Sequence, residues 1–276
     1  MRSATTPSKA NPILRWAGSK LQLLPVLTRF WESRFERYVE PFAGSARLFF
    51  EVEPGAALLG DKNGDLIQTY EVLRNSPDQL HQAILSIPKG KEAYYQTRRK
   101  NPCDLSPLHR AARFVYLNRY CFNGLYRTNL NGQFNVPYAS TGTGSIPELQ
   151  RFRACALLLA KAELRSWDFG TTLRYVRAGD FVYIDPPFVV ESRRVFAEYG
   201  PKSFANSDLS RLAHHLKAID GKGAVFVLSY ADCREARELS RGWLTRRLRV
   251  KRNIAGFAGA RRDAYELIVS NSPVLF

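Results

Sequence analysis

Two short apolar segments near the start of the chain have the spacing of strands joined by a helix. YVEPF at 38–42 and AALLGD at 56–61 are compact apolar runs, and the residues between them have helical spacing. This order of strand, helix and strand predicts the beginning of an α/β sheet. Glu40 and Asp61 stand near the ends of the two strands.

The same alternation returns in the second half of the chain. A helix is predicted at 207–219, and apolar runs predict three more strands: FVYI at 181–184, AVFVLS at 224–229 and YELIVS at 265–270. Alternating strands and helices are typical of a mostly parallel sheet. We expect the last strand to return antiparallel after the basic strand LRVKRN.

The segment between these halves has a different character. Helical patterns such as DLIQTYEVL and HRAARFVYLNRY lead into a stretch rich in Asn, Gly and Pro, with Asn-Gly pairs at 123–124 and 131–132 that favour turns and hairpins. This middle block predicts an inserted, mainly helical module that carries a β-hairpin. The predicted parts are a core of 11–63 and 149–276, an inserted module of 64–148 and a flexible tail of 1–10.

The charge of the chain makes a polyanion the leading partner. There are 41 Lys and Arg residues against 25 Asp and Glu residues, a formal net charge of +16. Nucleic acid is the first candidate and an anionic membrane surface the second. No apolar run approaches the ~18 residues of a membrane span, and the N-terminus lacks the apolar stretch of a signal peptide. We therefore expect a soluble intracellular protein.

The cysteines predict neither disulfides nor a metal site. Cys103, Cys121, Cys155 and Cys233 form no CxxC pair, and the chain has four histidines. We expect no bound metal and interpret the thiols as packing residues, because free cysteine behaves as a small hydrophobe.

Basic residues are concentrated near the C-terminus. From Arg241 to Arg262 there are eight basic residues and no acidic one, including the run RRLRVKR that ends at Arg252. A solvated basic face is one interpretation. The alternation of Leu248 and Val250 with basic neighbours predicts instead an edge strand that presents cations to nucleic acid.

Acids and small residues at predicted strand ends define one candidate site. In open α/β sheets, ligands bind beyond the carboxyl ends of the strands. Gly44 opens a turn where a ligand can approach the backbone, and Asp61 has the position that holds ribose hydroxyls in many nucleotide sites. The triphosphate motif GxxxxGK[ST] is absent, so an adenosyl ligand without a long phosphate chain fits better.

DPPF at 185–188 follows the predicted strand 181–184. The two prolines remove N–H donors but leave carbonyl acceptors. The carboxylate of Asp185 and the carbonyl of Pro186 can each accept one N–H of an exocyclic amine, while Phe188 stacks on the base. Such a base is out of reach inside a duplex, so it must be flipped out.

These motifs in this order resemble the Dam-type DNA adenine-N6 methyltransferases, the group alpha or D12 class. The resemblance runs from about Ile13 to Asn271. Its motifs are LRWAGSK at 14–20, VEPFAGSARLFF at 39–50, GDKNGDLIQTY at 60–70, YLNRYCFNGLYRTNLNGQFNVPY at 116–138, DPPF at 185–188, FAEYGPKSF at 196–204, and the terminal RVKRN and YELIVSN. The resemblance implies a Rossmann-like sheet, S-adenosyl-L-methionine (AdoMet) as cofactor and double-stranded DNA as substrate. It also implies a bacterial, archaeal or phage origin, a cytoplasmic location and a restriction endonuclease as a possible partner.

The resemblance also implies roles for individual residues. Asp185, Pro186 and Phe188 are the catalytic positions. The AdoMet positions are Trp16, Lys20, Phe42, Gly44, Asp61, Asp168, Phe169 and Asp185. The DNA positions are Arg15, Phe122, Asn123, Leu125, Arg127, Asn129, Pro137 and Arg252.

Among the DNA positions, Phe122 corresponds to the ring that the family inserts into the duplex, and Arg127 to a reader of guanine, which makes GATC the expected target. Asn118, Arg119 and Asn129 are interpreted equally as braces of the hairpin or as phosphate contacts.

The chain departs from the family pattern at three positions, and two alternative functions remain. Ala46 replaces a loop glycine, Phe188 replaces the tyrosine of the catalytic motif, and Tyr230 replaces an asparagine. An RNA methyltransferase is one alternative, because guanine-N2 rRNA methyltransferases also have DPPF. A DNA-binding protein that has lost catalysis is the other, motivated by Ala46 and Phe188.

Overall fold

The computed structural model describes residues 10–16, 18, 20–129, 131–140, 144–187, 204–253 and 261–274, without the side chains of 251–253 and 261–263. Strands within this part of the chain form a seven-stranded sheet. The strands are β1 Arg37–Glu40, β2 Ala57–Gly60, β3 Ala162–Arg165, β4 Asp180–Ile184, β5 Val225–Ala231, β6 Leu244–Asn253 and β7 Arg261–Ser270.

The order of the strands in the sheet is β3-β2-β1-β4-β5-β7-β6. The first five strands pair in parallel, and β7 lies antiparallel to both β5 and β6. The winding direction reverses at β1, which pairs with β2 on one side and β4 on the other. A crevice at the carboxyl ends of β1 and β4 follows from this reversal. The predicted Rossmann-like α/β fold and its antiparallel last strand are confirmed.

Helices of the described residues connect and cover the strands. They are α1 Leu24–Leu27, α2 Arg47–Val52, α3 Gly64–Asn75, α4 Pro77–Leu85, α5 Lys91–Arg99, α6 Pro107–Tyr120, α7 Leu149–Leu159, α8 Phe169–Arg174, α9 Asn206–Gly221 and α10 Arg234–Leu239. Short 3-10 turns lie at Thr28–Phe30, Pro102–Asp104 and Phe122–Gly124. None of the helices described is both long and apolar enough to cross a lipid bilayer.

Successive side chains of a strand point to opposite faces of the sheet, and helices cover both faces. Tyr38 and Phe181 belong to a core shared with helices α3 to α7. Val39 and Val182 belong to the opposite core, with α8, α9 and α10. Burial on both faces explains why these strands read as continuous apolar runs.

The predicted β-hairpin lies between α6 and α7. Isolated bridges pair Cys121 with Tyr138 and Thr128 with Phe134. The Tyr94 hydroxyl on α5 donates to the Val136 carbonyl over 2.9 Å, which ties the hairpin to the helical layer. Helices α3 to α7 share one core with the sheet. The boundaries of the inserted module at 64–148 stay a prediction.

The cysteines are free thiols in different environments. Cys121 and Cys155 are buried and Cys233 is half-buried, but Cys103 is exposed. The interpretation of all four as packing residues is therefore wrong for Cys103, which follows the 3-10 residue Pro102 in a surface turn.

Candidate active site

A cavity of about 340 Å³ opens at the carboxyl ends of β1, β2 and β4. Its volume is typical of small-molecule sites, which range over about 300–1,000 Å³. Nine residues singled out in the sequence lie in its wall: Trp16, Lys20, Phe42, Gly44, Asp61, Asp168, Phe169, Asp185 and Pro186. The fold therefore brings the predicted AdoMet positions to one place.

Gly44, in the loop after β1, has a backbone conformation and a close contact that both favour glycine. Its φ of +47° lies in the left-handed region that favours glycine. A Cβ at this position would lie 2.9 Å from the Trp16 indole. The Gly44 N–H donates to Asp61 over 3.0 Å, and its carbonyl accepts from the Tyr70 hydroxyl over 2.6 Å. Glycine is required here by both the backbone and the close approach of Trp16.

Ala46 is the residue that the sequence resemblance sets against a loop glycine. It has φ +50° and ψ +39°, precedes α2, and is fully buried. A left-handed conformation costs an L-residue roughly 1–2 kcal/mol. A glycine would adopt this conformation without the cost, so the backbone of the loop at Ala46 is strained.

Asp61 accepts two backbone hydrogen bonds and keeps further acceptor positions, as expected of an acid that binds ribose hydroxyls. One carboxylate oxygen accepts the Gly44 N–H and the other accepts the Asn63 N–H over 2.9 Å. Burial raises the pKa of Asp61, and these two backbone bonds lower it. Since a carboxylate has about four acceptor positions, two remain for ligand hydroxyls.

An aromatic cluster forms another part of the wall. Phe42 and Phe169 are stacked, with ring centroids 5.2 Å apart, and Phe204 packs edge-on against Phe42 at 5.9 Å. Asp168 caps α8 by accepting the Gly170 N–H over 2.9 Å. An aromatic wall beside a carboxylate suits a flat base with an exocyclic amine.

Arg211 completes this part of the cavity and was not predicted from the sequence. It forms ion pairs with Asp168 and with Asp208, the latter over 2.7 Å. Its guanidinium lies 4.6 Å from the centre of the Phe169 ring. No local sequence pattern marks Arg211, because its partner Asp168 is brought to it by the packing of α8 against α9.

Asp185, directly after β4, is held by two side chains. The Lys20 ammonium lies 2.7 Å from Asp185 Oδ1, and the Ser229 hydroxyl donates to the same oxygen over 3.2 Å. Burial raises the pKa of Asp185, while Lys20 and Ser229 lower it. Within the described residues, neither Asp185 Oδ2 nor the Pro186 carbonyl accepts a hydrogen bond. These two oxygens are the acceptors that the sequence assigns to an exocyclic amine.

Glu40 lies at the end of β1 in the same wall. It is buried and accepts a 2.8 Å hydrogen bond from the Tyr38 hydroxyl. Burial raises the pKa of Glu40 well above its usual range. The sequence placed Glu40 at this strand end but assigned it no role.

The predicted DNA positions lie on the hairpin and the segment beside it. The Arg15 N–H donates to Asn118 Oδ1 over 2.8 Å, and the Asn118 amide donates back to the Arg15 carbonyl over 2.6 Å. Phe122 is 39% exposed, so part of its ring is accessible at the surface. The exposed Pro137 accepts the Phe122 N–H over 2.9 Å. Asn123 has φ +53°, in the left-handed region.

Further along the hairpin, Leu125 packs against the core and Arg127 is half-buried. Arg127 Nε donates to Asn135 Oδ1 over 2.8 Å, which leaves its terminal nitrogens as further donors. Asn129 Oδ1 accepts the Gln133 N–H over 2.9 Å across the tip. Arg119 Nε donates to the Ser145 carbonyl over 2.8 Å. Asn118, Arg119 and Asn129 therefore all make bracing contacts.

Two predicted positions cannot be placed. Phe188 lies outside the described residues, and so does the side chain of Arg252. The strand that contains Arg252 is β6, at the edge of the sheet. Val250 is buried and Arg249 exposed, which confirms the predicted alternation of β6.

Comparison with known proteins gives a family model that covers most of the chain. The model described as D12 class N6 adenine-specific DNA methyltransferase matches residues 16–255.

Individual relatives match over nearly their whole length. The type II methyltransferase M1.LlaDCHI of Lactococcus lactis subsp. cremoris is 31% identical over 270 residues, 95% of each chain. The type II methyltransferase M.MjaIII of Methanocaldococcus jannaschii is 32% identical over 287 residues, 95% of this chain and 99% of the relative. The DNA adenine methylase of Escherichia coli K12 is 30% identical over 270 residues, 96% of each chain.

Proposed function

The chain belongs to the D12 class of N6 adenine-specific DNA methyltransferases, and we propose that its strand-end cavity is the place where this chemistry occurs. The chain methylates adenine in DNA with AdoMet as the methyl donor. What we propose is which residues carry the reaction, and the arrangement around Asp185 supports this assignment best. Oδ1 of Asp185 is fixed by Lys20 and Ser229 at the cavity wall, while Oδ2 and the Pro186 carbonyl remain as acceptors.

These acceptors make the amine a better nucleophile. The N6 lone pair of adenine is delocalised into the ring, and hydrogen bonds to both amine hydrogens favour a pyramidal nitrogen with a localised lone pair. Asp185 Oδ2 and the Pro186 carbonyl accept these two hydrogens. Phe188 stacks on the flipped adenine. Bound AdoMet supplies a methyl group activated by its sulfonium charge.

The polar and aromatic groups of the cavity wall fit AdoMet. Asp61 retains acceptor positions for two ribose hydroxyls, and an adenine ring can pack against the Phe42–Phe169 pair next to Asp168. Trp16 packs where the loop at Gly44 turns toward the cavity. Lys20, which the sequence assigned to AdoMet, contacts Asp185 and so links the cofactor side of the cavity to the catalytic acid.

The hairpin is proposed to read the DNA. Arg15 lies against the hairpin, Phe122 presents an exposed ring, and Arg127 keeps terminal donors for a guanine. A bidentate contact from Arg127 to guanine O6 and N7 accounts for a G in the target, and we propose GATC. Base-resolved mapping of modified adenines in plasmid DNA tests this: modification confined to another sequence contradicts GATC and leaves adenine methylation intact.

A transfer assay with labelled AdoMet tests the function against both alternatives. Equal amounts of duplex DNA and structured RNA compete for the enzyme, and the nucleosides are then separated. We expect label in N6-methyldeoxyadenosine alone. Label in RNA guanine supports the RNA methyltransferase, and binding of DNA without any transfer supports the protein that has lost catalysis.

The biological setting is a further proposal. Two relatives are named type II methyltransferases, which supports a restriction endonuclease as partner of this chain. Since the substrate is DNA and these relatives come from a bacterium and an archaeon, we place the enzyme in the cytoplasm of such a cell. Protection of cellular DNA from an endonuclease encoded beside this chain tests the partnership.

A further inference from the structure

Ser229, in the second half of β5, lies within hydrogen-bond distance of the side chains of Tyr183 and Asp185. Its hydroxyl is 3.0 Å from the Tyr183 hydroxyl and 3.2 Å from Asp185 Oδ1. Ser229 and Tyr183 are both buried. Buried hydroxyl groups are kept only where they are hydrogen-bonded, so this contact has a definite geometry.

The direction of the hydrogen bonds follows from the number of protons. An ionised Asp185 carboxylate can only accept, so the single proton of the Ser229 hydroxyl is donated to it. The Tyr183 hydroxyl must then donate to Ser229. The three groups form a chain from Tyr183 to Ser229 to Asp185, in which each bond polarises the next.

The register of the sheet brings these groups together. Tyr183 pairs with Val227 and Ile184 with Leu228 in the parallel ladder of β4 and β5. Side chains two residues apart share a face of a strand. Tyr183 and Asp185 therefore project from one face, and Ser229 projects from the same face of β5, beside Asp185.

We propose that Tyr183 and Ser229 are positioning residues that fix Asp185 with Oδ2 turned toward the target amine. This inference rests on the proposed role of Asp185. Lys20 and Ser229 approach the same oxygen, Oδ1, from different elements of the fold. One contact would leave the carboxylate free to rotate about it, whereas two contacts on Oδ1 determine where Oδ2 lies. Ser229 is not among the residues of the cavity wall, whereas Tyr183 is; the role assigned to both is to hold Asp185.

Three variants separate positioning from a merely structural role. In Ser229→Ala we expect kcat to fall roughly tenfold, because a misdirected carboxylate loses its alignment, while the Kd for AdoMet stays within about twofold. In Tyr183→Phe the fall is smaller. The double variant is no slower than Ser229→Ala alone, because Tyr183 acts only through Ser229. The double variant also removes the tyrosine hydroxyl that Ser229→Ala leaves without its partner.

A matched control is Ser270→Ala. Ser270 is also a buried serine of the sheet, and its hydroxyl donates to the Phe226 carbonyl over 2.6 Å. It has no contact with Asp185 in the described structure, so kcat per folded molecule should be unchanged. A fall equal to that of Ser229→Ala would show that kcat reports general loosening of the sheet.

The pH dependence gives a second measurement. Ser229 donates to the ionised form of Asp185, so its loss moves the acid limb of kcat to higher pH. The carboxyl signal of ¹³C-labelled Asp185, identified by comparison with Asp185→Asn, should titrate at higher pH in Ser229→Ala. This titration needs no turnover. The proposal is overturned if the wild type methylates adenine but Ser229→Ala changes neither kcat nor the titration of Asp185. It is also overturned if the effects of Ser229→Ala and Tyr183→Phe on kcat multiply in the double variant. If the wild type transfers no methyl group, the proposed function fails, and the titration still decides whether the chain of hydrogen bonds exists.

Discussion

Lys20 and Asp185 form an ion pair with a distance of 2.7 Å between Nζ and Oδ1, although they come from distant parts of the chain. The Lys20 side chain is 7% exposed and that of Asp185 is 21% exposed. Lys20 Nζ also donates to the Gly18 carbonyl over 3.0 Å. The N-terminal motif LRWAGSK therefore places the positive charge of Lys20 beside Asp185, the acid of DPPF.

Removing the charge of Lys20 should shift the pH dependence of methylation. In the proposed mechanism the Asp185 carboxylate acts in its ionised form. Burial raises the pKa of Asp185, and Lys20 lowers it. Without Lys20 the pKa of Asp185 rises further. As the pH is lowered, Asp185 is therefore protonated, and activity is lost, at a higher pH than in the wild type. We therefore expect the acid limb of kcat in Lys20→Met to move to higher pH.

The control for this change is Lys20→Arg, which keeps a positive charge beside Asp185. Its acid limb should stay closer to that of the wild type. Equal limbs in Lys20→Met and the wild type would show that the ion pair does not control the ionisation of Asp185.

Replacing Gly44 by alanine should weaken AdoMet binding. The new Cβ would lie 2.9 Å from Trp16, and φ of +47° is strained for alanine. We expect the Kd for AdoMet to rise at least about tenfold and the folded state to lose roughly 1–2 kcal/mol. Calorimetric titration and thermal unfolding measure the two effects.

Gly55→Ala is the matched control for Gly44. A Cβ at Gly55 meets nothing within 4 Å. The Kd for AdoMet should be unchanged in this variant. If Gly44→Ala binds AdoMet as well as Gly55→Ala does, the loop at Gly44 does not shape the cofactor site.

Arg211 is expected to support AdoMet binding from α9. Arg211→Ala removes the ion pairs with Asp168 and Asp208 and the contact over the Phe169 ring. Exposed ion pairs contribute only about 0–1 kcal/mol to stability, so the melting temperature should change little. We expect the Kd for AdoMet to rise about three- to tenfold by titration. Lys217→Ala, an exposed cation on the same helix, should bind as the wild type; equal affinities in both variants would remove Arg211 from the site.

Arg127 is expected to determine specificity more than affinity. Arg127→Ala would lose the proposed bidentate contact to guanine, worth roughly 1–3 kcal/mol of discrimination. Methylation should spread to sites in which the recognised guanine is replaced, while the AdoMet Kd stays constant. Methylation rates on duplexes with single substitutions measure this. Arg153→Ala, which removes a surface ion pair with Asp78, is the control; unchanged discrimination in Arg127→Ala would exclude Arg127 as a base reader.

Much of the sheet was predictable because its strands are buried on both faces. The segments at β1, β2, β4, β5 and β7 read as apolar runs in the sequence. Strand β3 was missed because it is an edge strand of four residues in which buried and exposed positions alternate. Such a short alternation is too weak to distinguish a strand from a loop.

The site was predictable only where it coincides with motifs. The predicted AdoMet positions line one cavity because most of them follow a strand or open a helix, and the N-terminal segment adds Trp16 and Lys20. Arg211 and Ser229 were missed as site residues because their partners, Asp168 and Asp185, reach them only through tertiary packing. The strain at Ala46 depends on its positive φ, which a single residue type does not reveal.

The most direct test of the account compares the wild type with Asp185→Ala on one duplex, with methyl transfer, AdoMet binding and DNA binding measured in the same preparations. We expect the wild type to convert adenine to N6-methyladenine. The variant should bind both AdoMet and DNA but transfer at least about 10²–10³-fold more slowly, because it lacks a preorganised acceptor for the amine. Methylation of adenine by Asp185→Ala at the rate of the wild type would contradict the account.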